Sequence, residues 1–145
     1  MSYVSALQDV LAAEHAALYL YALLGARTSR SAEPVVAGLL EESYAVHRAR
    51  RDRLEAVLRS LEQEPVAAEP AYVLDPDVAE GTRAVLAGAR RVERACAEAY
   101  GWLVSASPSA QRRWAVTALS EAAVRELALR GAPEMLPGSD GLADR

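Results

Sequence analysis

The sequence predicts an all-α protein, a four-helix bundle with a long crossover between helices 2 and 3. Three observations predict it. Apolar residues recur at spacings of three and four over four long segments, the period of helices with one buried face. Proline and glycine punctuate the chain between these segments. Two connections are short, whereas the one at residues 65–76 has twelve residues and three prolines.

Helix 1 is predicted from Ser5 to Leu24, with a capping box that starts at Ser5 and Gly25 as its C-cap. Glu14 lies within its apolar stripe, where a carboxylate is costly unless it is paired or bound to a metal. The stripe consists of Leu7, Leu11, Leu18 and Tyr21.

Helix 2 is predicted from Ser31 to Glu64, with Pro34 in its first turn and Pro65 ending it. A histidine and a tyrosine one turn apart share its apolar face. That face consists of Val36, Leu40, Tyr44, His47, Leu54, Leu58 and Leu61.

Residues 65–76 have no helical period and are predicted to be an extended crossover. At roughly 3.3 Å per residue, this segment is long enough to run the length of a bundle. Helices 1 and 2 then form one hairpin and helices 3 and 4 another. Residues 1–131 are expected to form the bundle and residues 132–145 a loosely ordered tail.

Helix 3 is predicted to start at Asp75 and Pro76 and to end near Val104. Glu93 lies at the edge of its apolar stripe, and Glu98 is the alternative inward carboxylate. The stripe consists of Val78, Val85, Ala89, Val92, Cys96, Ala99 and Leu103.

Helix 4 is predicted from Ser107-Pro108 to Arg130, with Gly131 as its C-cap. One of its faces contains a glutamate, which this register turns inward. That face consists of Trp114, Thr117, Glu121, Val124 and Ala128.

These positions match part of a di-iron carboxylate pattern, in which two helices each give a Glu and two each give Glu-x-x-His. Helices 1 and 3 offer Glu14 and Glu93. Helix 2 offers His47 with Tyr44 where Glu is expected, and helix 4 offers Glu121 with Val124 where His is expected. The candidate metal ligands are therefore Glu14, His47, Glu93 and Glu121, which would suit one Fe, Mn or Zn ion.

The alternative is a metal-free hydrogen-bonded core. Arg50 or Arg51 could turn inward to pair with Glu93 or Glu121, which would remove the need for a metal. Tyr44, Arg50, Arg51 and Val124 are possible lining residues of the site. Cys96 is interpreted as a small core residue, and His15 as an interface or surface histidine. The tyrosines are interpreted as core or interface aromatics rather than redox partners of a metal.

Composition excludes several classes of function. A net charge of −4 argues against nucleic-acid binding. No apolar stretch is long enough to span a membrane, and the first 20 residues lack a signal-peptide pattern. The single cysteine favours the cytoplasm. The absence of Lys, Asn, Ile and Phe is typical of a GC-rich genome.

The chain resembles the ferritin-like superfamily, and more closely a bacterial ferritin-like domain family of unknown function found in high-GC genomes. The resemblance covers about residues 5–131 and implies a four-helix bundle with no established activity. Relatives with complete ligand sets store iron or activate oxygen, and the departures at Tyr44 and Val124 argue against both activities here. The matching stretches are residues 13–21, residues 47–52 and Ala71-Tyr72.

The sequence therefore predicts a structural or binding module with a degenerate di-metal site and no catalytic residues. The alternative is a metal-dependent Fe or Mn oxidoreductase or an iron-handling protein; Fe or Mn is a possible cofactor, and none is the expectation. A homodimer is also predicted, because the end of helix 1 is apolar around most of its circumference.

Overall fold

The computed structural model describes residues 2–73 and 81–129, and within these ranges it contains four α-helices and no strand. The all-helical class is therefore confirmed. No helix in this part of the chain combines the length and the apolar character needed to cross a membrane. The bounds of the helices are Tyr3–Ala26 (α1), Pro34–Ser60 (α2), Thr82–Ala106 (α3) and Ser109–Ala128 (α4).

The start of α1 is two residues earlier than the capping box predicted. Ser2 is the N-cap, and its hydroxyl accepts a hydrogen bond from the backbone N–H of Ser5 at 3.1 Å. Gly25 lies inside the helix, which ends at Ala26. Several serines and small residues near each end can act as caps. The sequence therefore predicts the helix itself more accurately than its first and last residues.

The end of α2 is also earlier than predicted. Pro34 lies in the first turn, as expected, but it is the first residue, so the helix begins three residues after the predicted start at Ser31. The helix stops at Ser60 and not at Glu64. Glu62 has a left-handed φ of 57°, and the N–H of Gln63 donates to the carbonyl of Leu58 at 3.0 Å. A left-handed residue of this kind is a common helix ending, so the helix closes before Pro65 is reached.

The beginning of α3 is set by Gly81, whose φ of 107° suits glycine far better than other residues. The helix therefore begins at Thr82. The predicted start at Asp75 and Pro76 lies outside the described residues, and so do Val78, the C-cap at Gly131 and the tail at residues 132–145.

The four helices pack as two hairpins. α1 packs against α2, α3 packs against α4, and α1 and α3 join the hairpins through an extensive contact. Tyr21 and Tyr100 are the largest buried side chains, in a core built mainly from leucine, valine and alanine. The seam between α2 and α4 has no such close packing in the described residues, and cavities lie along it.

The crossover lies against the outer side of α1. The side-chain amide of Gln8 donates to the carbonyl of Glu64 at 2.7 Å and accepts from the N–H of Val66 at 2.8 Å. His15 lies 3.0 Å from the carbonyl of Val66, and the ring of Tyr19 packs 5.6 Å from that of Tyr72. His15 is thus buried within the chain. The crossover covers part of the apolar surface that suggested a homodimer, which stays a prediction.

The register of α4 is a correction to the sequence analysis. The predicted inward face is largely exposed, with Val124 at 65% and the Glu121 side chain at 54%. The face that packs is one residue further along, which rotates the helix by about 100°. Its buried residues are Ala115, Ala118, Ala122, Glu126 and, just past the helix end, Leu129.

The register of α2 needs a smaller correction. Tyr44 was predicted to share the buried face with His47, but it is 39% exposed, and Ser43 is buried in its place. The buried residues follow spacings of four and three, which selects position 43. The side chain of Ser43 lies near the hydroxyl of Tyr21 inside the core, whereas the larger Tyr44 keeps its hydroxyl end near water.

Candidate functional site

Three of the four predicted ligands meet at the centre of the molecule. Glu14 from α1, His47 from α2 and Glu93 from α3 have no exposed surface. His47 Nδ1 lies 2.6 Å from Glu14 Oε2, and its Nε2 lies 3.1 Å from Glu93 Oε1. One imidazole therefore bridges two carboxylates, which it can do with both nitrogens donating only when it is protonated.

Two tyrosine hydroxyls bind the same carboxylates. Tyr21 donates to Glu93 Oε1 at 2.5 Å, and Tyr100 donates to Glu14 Oε1 at 2.7 Å. The ring of Tyr21 also stacks on that of His47, with centroids 5.2 Å apart. Each carboxylate thus has an imidazole and a phenol as partners, which compensates for its burial.

Two arginines complete the cluster. Arg125 Nε donates to Glu93 Oε1 at 2.9 Å. Arg50 is buried, and its Nη2 donates to the carbonyl of Ala118 at 3.0 Å and to Glu121 Oε2 at 2.9 Å. Its Nη1 lies 4.0 Å from Glu14 Oε1, and its guanidinium lies over the Tyr100 ring.

The other predicted site residues lie outside this centre. Glu121 is bonded to Arg50 with half of its side chain exposed, and Val124 and Tyr44 face outward. Arg51 pairs with Asp52 at 2.6 Å on the surface of α2. Of the two inward arginine alternatives, Arg50 is therefore the one that turns into the core.

Cys96 is part of the cluster as well. Its thiol is buried, and its sulfur lies within 4.8 Å of a ligand atom of Glu14 and of one of His47. The sequence analysis assigned it to the core without a neighbouring base. The structure supplies such neighbours from two other helices, which helix periodicity alone does not pair with Cys96.

The imidazole of His47 is held in its charged form. Burial by itself would lower its pKa, but its polar neighbours raise the pKa well above the usual 6.5. The nearby Cys96, and then the hydrogen-bonded carboxylates of Glu14 and Glu93, account for that increase in pKa. The pKa of Cys96 is raised mainly by burial and, to a smaller extent, by the charge of Glu14. Its thiol is therefore neutral at neutral pH. The two carboxylates therefore hold the proton on His47.

The same charges explain the pKa shifts of the other titratable groups in the cluster. Burial would raise the pKa of Glu93, but His47 and then Arg125 outweigh it, and the pKa falls below the usual 4.5. Burial and the nearby carboxylates raise the pKa of Tyr21 and of Tyr100. Both phenols therefore stay protonated and act as donors.

The charges of the cluster balance, with three anions facing three cations. Some polar atoms nevertheless remain without a hydrogen-bond partner in the buried centre, namely Arg50 Nη1, Glu93 Oε2 and Arg125 Nη2. The anions are Glu14, Glu93 and Glu121, and the cations are His47, Arg50 and Arg125.

The cluster lies beside a groove between α2 and α4. A cavity of about 490 Å³ is lined there mainly by apolar groups, among them Leu39 and Val124. Arg125, which donates to Glu93, also lines it, and so does Ser43, which lies near the hydroxyl of Tyr21. The two exposed valines of α4, Val116 and Val124, thus form part of the wall of this groove.

Arg125, Tyr21 and Tyr100 are the site residues that the sequence analysis did not select as such. Arg125 follows Val124 directly, so the one-residue change of register brings it inward. The tyrosines lie seven residues from Glu14 and from Glu93, about two helical turns along the same faces. That spacing is the signal that could have found them.

Comparisons with known proteins give one family and one similar solved structure. A domain of unknown function, DUF4439, matches residues 6–141. The crystal structure of a conserved hypothetical protein from Mycobacterium tuberculosis, Rv2844, is similar to this chain, with a TM-score of 0.79 and 31% identity. The match covers 87% of this chain and 92% of that one. No curated protein matches. With nearly its whole length matched, the chain belongs to the DUF4439 family of unknown function.

Proposed function

We propose that residues 1–131 form a ferritin-like four-helix bundle with a degenerate di-metal site, which acts as a structural or binding module and not as an oxidoreductase. The arrangement of the helices supports this assignment. Two antiparallel hairpins are joined by a crossover that follows α1, which is the connection expected of ferritin-like bundles.

The observation that carries the proposal is the guanidinium of Arg125 on Glu93, at 2.9 Å. In its corrected register, α4 turns Ala122 and Arg125 inward, at the spacing of three that a Glu-x-x-His motif requires. An alanine and a permanent cation thus stand where a complete site has a carboxylate and an imidazole. Arginine cannot lose its charge in a protein, so it repels a second metal ion.

The alternative function, a metal-dependent oxidoreductase or iron-handling protein, needs Glu14, His47, Glu93 and Glu121 to converge on the metal. Glu121 is on the solvent side of Arg50, whose guanidinium separates it from the centre. The described residues therefore do not fit a dinuclear centre, and this geometry favours the degenerate site.

Metal stoichiometry tests the proposal. The purified chain is stripped with chelator, reduced, and titrated with Fe²⁺ without oxygen, and bound iron is counted after removal of free ions. We expect at most one ion per chain and no rapid oxidation of Fe²⁺ on admission of air. Glu121→Gln is the matched variant and should bind as the wild type does. Two ions per chain, or a loss of binding in Glu121→Gln, would contradict the proposal.

A further inference from the structure

We propose that Glu14, His47 and Cys96 form a mononuclear site for a thiophilic divalent cation of the Zn²⁺ class. The inference rests on the proposed function, since it assigns an ion only to the half of the site that the arginines leave free. One oxygen, one nitrogen and one sulfur atom from these three side chains lie within 4.8 Å of one another. They come from three different helices, and all three residues are buried.

The partners of these ligands are those that a metal site needs in its outer shell. His47 turns Nδ1 toward Glu14 and Nε2 toward Glu93, so that a ligating Nδ1 leaves an Nε2–H that donates to a carboxylate. That pairing orients metal-bound histidines generally and raises their basicity. Tyr100 donates to Glu14 Oε1, which leaves Oε2 for the ion.

The charges of the cluster favour an ion of charge +2. Without metal, the charge on His47 offsets that of Glu14, and Cys96 is a neutral thiol. A divalent ion that replaces one proton on His47 and one on Cys96 leaves the buried net charge unchanged. Arg125 still offsets Glu93, and Glu121 still offsets Arg50.

The ligand types decide which divalent cation fits. A thiolate with an imidazole suits Zn²⁺ and similar ions, whereas Mg²⁺ and Ca²⁺ prefer oxygen alone. Three protein ligands leave one position of a tetrahedral zinc open. Ligands about 2.0–2.1 Å from such an ion stand about 3.3 Å apart, so the 2.6 Å separation of Glu14 and His47 must open slightly on binding.

A cavity between α1 and α3 borders Cys96. It has a volume of about 270 Å³ and is lined by Cys96 together with small side chains such as Ala17 and by Gly88. The lining includes one arginine, Arg91, but neither Arg50 nor Arg125. A cation that enters through this cavity therefore passes Arg91 and not the two arginines of the cluster.

Cobalt titration tests the inference, because Co²⁺ replaces Zn²⁺ and absorbs strongly in the near ultraviolet when a thiolate binds it. The chain has one cysteine, so this absorption reports Cys96 alone. We expect one Co²⁺ per chain with thiolate absorption, displaced by Zn²⁺. Cys96→Ser should abolish the absorption and weaken binding more than about tenfold, and Tyr100→Phe should weaken it about tenfold. Glu121→Gln should bind normally.

The outcomes separate this inference from the proposed function. A folded wild type that binds no Co²⁺, or binds it without thiolate absorption, overturns the mononuclear site and leaves the degenerate site standing. Two ions per chain would overturn both. The wild-type spectrum suffices for this decision even if Cys96→Ser proves too unstable to purify.

Discussion

The half of the site that α1, α2 and α3 build differs sharply from the half that α4 supplies. Glu14, His47 and Glu93 have no exposed surface and bond to one another. Glu121 is half exposed, and Val124 is 65% exposed. The same helical-period argument selected all of these positions. Helical period alone therefore does not determine which face of a helix is buried.

The difference lies in the size of the neighbouring side chains. Glu14 and His47 interrupt stripes of leucine, which have only one reasonable buried face. The inward face of α4 consists mainly of alanine. The larger residues Val116 and Val124 lie on its exposed face and line the groove. Small residues let α4 approach α3 closely, but they carry little hydrophobic signal and leave the register open by one residue.

Removal of one carboxylate from each half should give the largest difference in the free energy of unfolding. Glu14→Gln leaves the charge of His47 buried with only Glu93 to offset it, so we expect a loss of about 3–5 kcal/mol in the free energy of unfolding. Glu121→Gln should lose about 1 kcal/mol or less, because its exposed carboxylate is screened by solvent. Urea unfolding of both variants in the presence of chelator measures the two values.

Equal losses in these two variants would mean that Glu121 belongs to the buried centre. If Glu14→Gln does not fold, the contrast is already established by a Glu121→Gln variant of nearly wild-type stability. A Glu14→Gln variant as stable as the wild type would contradict the buried ion pair.

Enlarging side chains on the two faces of α4 tests its register directly. Ala118 is 2% exposed, and its replacement by Leu should lower the free energy of unfolding by about 1–3 kcal/mol through overpacking. Val124→Leu, on the exposed face, should change it by less than about 0.5 kcal/mol. The register predicted from sequence requires the reverse order, so thermal unfolding of the two variants distinguishes the registers.

Much of the fold follows from the sequence for identifiable reasons. The four helices of the described residues, the inward faces of α1 and α3 and the absence of helix over residues 65–73 were predicted from period and proline content. Other features depend on tertiary contacts. Gln8 binds a segment more than 50 residues away, and Arg125 finds Glu93 only once α4 is docked. The link between Cys96 and His47 likewise needs the packing of separate helices, so no local pattern could reveal it.

The pH dependence of stability should be the smallest of these effects, and it compares the two histidines. The pKa of His47 is raised on folding above the usual 6.5. Below pH 6.5 both the folded and the unfolded chains hold the proton. Above it only the folded chain does, so stability falls as the pH rises toward the folded pKa, by at most about 1.4 kcal/mol per pH unit.

The groups that face His47 do not obscure this slope between pH 7 and 8. Glu93, whose pKa is lowered by His47 and Arg125, is ionised there, and burial keeps Tyr21 and Cys96 protonated in the folded chain. Urea unfolding at both pH values, with chelator, should give a slope that His47→Gln removes.

The control is the second histidine of the chain, His15, which bonds to a backbone carbonyl of the crossover and has no carboxylate partner in the described residues. His15→Gln should therefore keep the slope. If His47→Gln is too unstable, NMR titration of the two imidazoles in the wild type answers the same question. A His47 imidazole that loses its proton at or below pH 6.5 would contradict the bridge between Glu14 and Glu93, because two flanking carboxylates hold that proton.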